Sequence, residues 1–245
     1  MLFKHFMYLP KNFAEAFILN AIFLICLFLP IFFSNYIPLK NPELNYTMYS
    51  LLGFALAFLV FLIINKFFKL FDTRIQYFKK TTTKISLWVI IVASLISISS
   101  YPIYFIINGM EDATSINFAY LLMSVIVAPV LEEFFYRGVI LNNLIKNKSV
   151  KYSVLTIVVI FTISHFNFAS IVGLVLLSIV TSFLFIMWKN IFYCILFHVM
   201  FNFSTYILSY SYDMKFILIS SLIASIVLFL VIRKYKLLKV ISDIL

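Results

Sequence analysis

Charge is what this sequence has least of. Only 11% of its 245 residues are Asp, Glu, Lys or Arg, about half the share found in a soluble domain. The longest polar stretches are too short to bury a core, so no soluble domain fits. Glycine is scarce, with four residues, and cysteine scarcer, with two. Cys26 and Cys194 each lie inside an apolar run, with no second cysteine nearby at metal-ligand spacing. Both read as packing residues and not as a disulfide. None of the four glycines begins a G-x-S, which leaves a serine elbow unsupported. No H-E-x-x-H occurs, so the common zinc-protease helix is missing. No aspartate lies deep in an apolar run, which disfavours an intramembrane aspartyl dyad. No small-residue cleavage site is evident after the apolar N-terminus, so that run reads as a retained span.

What is present in abundance is apolar surface. The chain is 64% hydrophobic with mean hydropathy +1.09, and it carries 30 Phe and 15 Tyr. Such a composition predicts an integral membrane protein. A span needs roughly 20 residues, and the apolar runs divide into about eight candidates. They fall near 13–33, 48–65, 85–108, 116–138, 153–169, 171–188, 190–209 and 215–232. The expectation is an all-α, polytopic membrane helix bundle of about eight transmembrane helices. No repeat, low-complexity tract or linker interrupts it, so residues 1–245 read as a single integral membrane domain.

The net charge of +10 would raise nucleic acid as a partner for a soluble protein. Here its distribution explains it. All the basic residues except Lys40, Lys215 and Arg137 fall in alternate segments, on one side of the predicted topology. The opposite loops carry Glu43, Glu111, Asp112 and Asp213. That bias places both termini in the cytoplasm, and no nucleic acid is needed. The stretch KFFKLFDTRIQYFKKTTTK reads either as an ordinary positive loop or as an amphipathic segment on anionic lipid.

Against this background the polar residues inside the runs stand out. A charge at the centre of a span costs roughly 2.5–3.5 kcal/mol on insertion scales. Two of the nine acidic residues are deep, Glu132 and Glu133, and two of the three histidines, His165 and His198. Arg137 lies one turn after the glutamates and Asn202 one turn after His198. Glu133 and Arg137, four apart, share a helical face and can pair. Glu132 points about 100° away, which leaves it available as a base. His198 and Asn202 can face one cavity from one helix. Phe161, four before His165, can pack beside the imidazole and fix it. Pro129 removes the helical partner of the Val125 carbonyl and predicts a kink just before the glutamates. Counted from span centres, Glu132 and His165 are offset by roughly 15 Å along the membrane normal. A fourth span continuing as helix to about Ile145, a tilt, or the Pro129 kink would reduce that.

Intramembrane Glu–Arg pairs also simply join helices, and lone histidines serve as hydrogen-bond glue. Two carboxylates, two imidazoles and an amide in three spans of so polar-poor a chain point instead to a site. A carboxylate with a histidine can take a proton from water. A second histidine and an amide can donate to a tetrahedral oxyanion. That is the equipment of peptide hydrolysis. The same groups can hold a divalent metal such as zinc; the metal ligands would be Glu132, His165 and His198.

The segment APVLEEFFYRG resembles the first motif, E-E-x-x-x-R, of the CAAX protease and bacteriocin-processing (CPBP) family. FTISH matches that family's second motif, F-x-x-x-H, and HVMFN its third, H-x-x-x-N. All three stand in the family's order, over about residues 116–208. The resemblance implies an intramembrane endopeptidase of eight or so helices. It implies that Glu132 and His165 activate water and that His198 and Asn202 form the oxyanion site. Glu133 and Arg137 would support the first motif. It also implies a peptide or membrane-anchored protein as substrate, with the lipid bilayer as surroundings. The family carries a metalloprotease label and a metal-free glutamate mechanism is argued for it; His198 and Asn202 look better suited as donors. Two other readings compete. One is a non-enzymatic membrane protein of the same fold, acting in bacteriocin self-immunity or as a scaffold. The other is a proton- or ion-coupled transporter, which the lack of internal symmetry disfavours.

Overall fold

The computed structural model describes residues 9–37, 42–68, 70, 81–108, 118–209 and 213–235. Among these every regular element is helical. Eight helical runs follow one another: α1 (Phe13–Ser34), α2 (Pro42–Phe67), α3 (Thr83–Asn108), α4 (118–147), α5 (Val150–Ser164), α6 (Ile171–Trp188), α7 (Ile191–Ser209) and α8 (Met214–Tyr235). Each overlaps one of the eight predicted spans, although the ends of the fourth and fifth differ. Six of them, α1, α2, α3, α6, α7 and α8, are long and apolar enough to cross a membrane. α4 is continuous but changes its winding, and α5 has only 15 residues. Leu222 of α8, Ile25 of α1 and Phe58 of α2 are more than half exposed; bare apolar side chains on such helices meet lipid rather than water. The chain is a multi-pass membrane protein. The two termini and most of the basic segment 66–84 lie outside the described residues.

The helices gather into two compact units, each discontinuous in sequence. The first comprises Met1–Ile75 and Asn117–Ile160, the second Gln76–Ile116 and Phe161–Leu245.

In the first unit α1 and α2 pack side by side. Their approach is so close that a Cβ on Gly53 would stand 2.6 Å from the Leu27 carbonyl oxygen. Small residues allow such backbone contact where lipid offers no competing hydrophobic drive. α1 begins at a well-made cap. Asn12 Oδ1 accepts from Glu15 N at 3.0 Å, while Glu15 Oε2 accepts from Lys11 N at 2.7 Å. The first satisfies an amide that the helix start leaves orphaned, and the second ties down the residue just before the cap. The middle of this unit is α4, whose residues 135–144 are all buried. Phe135 stacks on Phe23 of α1, ring centroids 4.1 Å apart, and lies 5.0 Å from Phe61 of α2. Tyr136 donates its hydroxyl to Asn20 Oδ1 of α1 at 2.9 Å.

In the second unit α3 packs against α6, α7 and α8, and α6 against α7. Hydroxyl pairs tie α3 to α7: Ser97 with Thr205 at 2.8 Å and Ser94 with Ser204 at 3.1 Å. Such pairs satisfy polar groups that hydrocarbon would leave bare. Tyr101, Phe105, Leu208 and Ile217 form an apolar cluster between α3, α7 and α8. Both cysteines are buried and unbridged, as packing residues would be.

Candidate active site

The two candidate carboxylates belong to α4. Glu132 and Glu133 are the two central residues of the 118–147 run. The predicted span, 116–138, stops short; the helix continues to Asn147 and so shifts its middle onto the glutamates. Its winding around them is unusual. Met123–Val127 and Phe134–Leu141 are π-helical, and the α-helical segment Ala128–Glu133 lies between them. At the first, Ala128 N–H donates to Met123 O, five residues back, one residue before Pro129 enters. A local widening of the helix, rather than a bare break, thus accommodates the missing proline donor. At the second, Asn142 N–H reaches Arg137 O, again five back. Such bulges re-aim the side chains that follow and gather at functional sites.

The glutamates occupy different surroundings. Glu133 is fully enclosed, and Arg137 Nη1 donates to its Oε1 at 2.9 Å, with both side chains at 0% exposure. The predicted i,i+4 pair forms, even though Arg137 sits on the π-helical turn. Glu132, one residue earlier, is only partly buried. Their separation follows from the helical rotation between neighbours.

The histidines belong to the second unit. α5 ends at Ser164 and not at 169 as predicted, so His165 stands just past its last turn. At 1.5 Å per residue a 15-residue helix is about 22 Å long, against roughly 30 Å of hydrocarbon. A helix of that length starting at one interface ends inside the apolar slab, and so His165 need not lie at its far face. Phe166 then takes φ 48°, a left-handed conformation uncommon for a non-glycine residue. Asn167 Oδ1 accepts from Ala169 N and Ser170 N at 3.1 and 3.3 Å, which closes the turn into α6. His165 Nδ1 lies 2.8 Å from the Phe161 carbonyl oxygen. The Phe161 ring lies 4.5 Å from that of His165 and 5.8 Å from that of His198, centroid to centroid. The predicted packing of Phe161 beside His165 therefore holds, and His198 shares it. His198 is buried on α7, and Asn202 lies one turn further along, partly exposed. Gly173 of α6 lets the Phe201 ring of α7 approach: a Cβ there would stand 3.2 Å from its tip.

Among the described residues neither unit by itself holds a group of three His, Cys, Asp or Glu side chains that could take an ion. Zinc ordinarily asks for three or four.

Three features lie beyond what the sequence reading singled out: the π-helical turns around the glutamates, the Tyr136–Asn20 bond, and Asn143. The last is wholly buried, and its Nδ2 donates to Leu9 O and, at 2.8 Å, to Leu70 O. Asn20 and Asn143 are uncharged, and amides inside apolar runs leave only a faint trace in hydropathy.

Residues 114–204 match the family described as type II CAAX prenyl endopeptidase Rce1-like. The match holds Glu132, Glu133, Arg137, His165, His198 and Asn202. No curated protein and no solved structure matches the chain.

Proposed function

We propose that this chain, whose residues 114–204 match the Rce1-like family of CAAX-type intramembrane proteases, hydrolyses a peptide bond in a membrane-associated protein or peptide. Glu132 and His165 together take a proton from water, and the hydroxide adds to the scissile carbonyl. His198 and the Asn202 amide donate hydrogen bonds to the resulting oxyanion. The carbon–nitrogen bond then breaks as the captured proton is delivered to the leaving amine. Glu133, neutralised by Arg137, holds the first motif in place and stays out of the proton transfer. No step passes through a metal.

The observation that carries this reading is the family match over a segment with all three polar motifs in order. Two further findings support it. The glutamates sit at the centre of α4 between two π-helical turns. His165 and His198 are held against one aromatic ring. The reading treats the chain as one integral membrane domain, supported by the interleaving of the two units in sequence. It places both termini in the cytoplasm, supported by the bias of basic residues.

The test is cleavage of a candidate membrane-anchored peptide by purified protein in liposomes. Wild type should cut and Glu132→Ala should not. Equal cleavage by both would sink the catalytic assignment. Persistence of the cellular phenotype in both Glu132→Gln and His198→Ala would favour a non-enzymatic role instead.

A further inference from the structure

α5 ends in a way that determines which nitrogen of His165 carries its proton. In a continuing helix the His165 amide would bond to the Phe161 carbonyl, four residues back. Here it donates to Thr162 O at 3.4 Å, and Phe166 N donates to Ile163 O at 3.2 Å. The left-handed Phe166 makes the termination definite. The Phe161 carbonyl, released by the helix end, is taken by His165 Nδ1 at 2.8 Å. A carbonyl oxygen can only accept, so Nδ1 carries a hydrogen. In the neutral ring the lone pair then belongs to Nε2. The Phe161 ring, with no exposed surface, meanwhile touches both imidazoles.

We propose that Phe161 is a positioning residue for both histidines. Its carbonyl fixes His165 as the Nδ1–H tautomer with Nε2 as the basic atom, and its ring braces the imidazole planes of His165 and His198. The importance of this for turnover rests on the hydrolase reading, but the tautomer itself is measurable without turnover. The phenyl ring and the carbonyl have separable parts: the carbonyl chooses the nitrogen, and the ring limits how far either imidazole can rotate.

The decisive experiment is nitrogen-15 NMR of the full chain, labelled at histidine and held in lipid nanodiscs, above the pH at which the imidazoles are protonated. The chain has three histidines, and loss of one ring's pair of signals in His165→Asn assigns the residue. The expected result is a protonated Nδ1 and an unprotonated Nε2 at His165. An Nε2–H ring, or the mixture shown by free histidine, would overturn the assignment whatever the protease activity. Glu132→Ala activity tests the hydrolase reading separately.

Substitutions supply the second arm. The side-chain amide introduced by His165→Asn can donate where Nδ1 does, so the melting temperature of that variant should stay near wild type; His165→Gln should melt lower. Neither should cleave. The reverse order of stabilities would contradict the carbonyl contact. Phe161→Leu keeps the carbonyl and loses the ring. It should keep the tautomer while kcat falls about tenfold or more, against the roughly 10²–10⁴ that a positioned acid–base group typically contributes. KM should change little. An undiminished kcat would remove the ring from the account. If Phe161→Leu fails to fold, the wild-type tautomer still decides the carbonyl's part, and Phe161→Met replaces it for the ring.

Discussion

Arg137 Nη1 donates to Glu133 Oε1 across 2.9 Å, and neither side chain reaches the surface. A buried pair of this kind is costly to break from one side, because the surviving charge is left without compensation. Arg137→Ala should therefore destabilise the protein by about 3–5 kcal/mol. Removing both charges together, as Glu133→Gln with Arg137→Met, should cost less than either single change. Thermal unfolding in detergent micelles measures this. A single variant as stable as wild type would show that the pair is not what holds α4 at this turn.

Gly53 should tolerate no side chain. The Cβ of Gly53→Ala would meet Leu27 backbone atoms at 2.6 and 2.9 Å, and backbone cannot swing aside as a side chain can. α1 and α2 must separate to admit it, at a cost of about 1–3 kcal/mol for an overpacked contact. A lowered melting temperature is the expected outcome. An unchanged one would mean that the two helices slide apart freely.

Asn143 joins α4 to two other stretches of chain through Leu9 O and Leu70 O. Asn143→Ala leaves those carbonyls without this donor, at about 1–3 kcal/mol for each buried group unsatisfied. The loss should be local. Leu70 N is held by Asn65 Oδ1 at 2.9 Å, and its hydrogen exchange should accelerate when the clamp opens. Exchange at wild-type rate would contradict a clamping role.

The proposed chemistry draws on carboxylate, imidazole and amide alone. Dialysis of purified protein against a strong chelator should leave peptide cleavage intact. Loss of cleavage that added zinc restores would transfer water activation to a metal ion.

Which parts of this arrangement are visible in the sequence follows from physical cause. Glu132, Glu133 and Arg137 are conspicuous because charge inside an apolar run is rare, and the four-residue spacing foretells the ion pair. The eight helical runs are equally visible, since each lies in an apolar stretch. The ends are not. Hydropathy carries the fifth span on to 169 because Phe166 and Phe168 are apolar, but both are strongly exposed beyond the helix end. That end is set by the backbone of Phe166 and by His165 Nδ1, neither of which polarity reveals. The π-helical turns escape for a related reason. A change from four-residue to five-residue hydrogen bonding leaves composition untouched, and Pro129 marks only the first of them. α4 runs beyond 138 because Asn142 and Asn143 are buried within the first unit, whereas in the sequence they look like the start of a polar loop.

The central claim is that Glu132 is the carboxylate that activates water for peptide hydrolysis. Quantitative comparison of protein N-termini in membranes carrying wild type or Glu132→Gln tests it most directly, because one experiment reads both activity and substrate. The substitution keeps the size of the side chain and replaces the carboxylate with an amide that cannot take up the proton. The account predicts at least one new N-terminus, in a membrane-associated protein or peptide, that depends on wild type and is missing with Glu132→Gln at equal protein abundance. The same cleavage product at the same level in both membranes would contradict it.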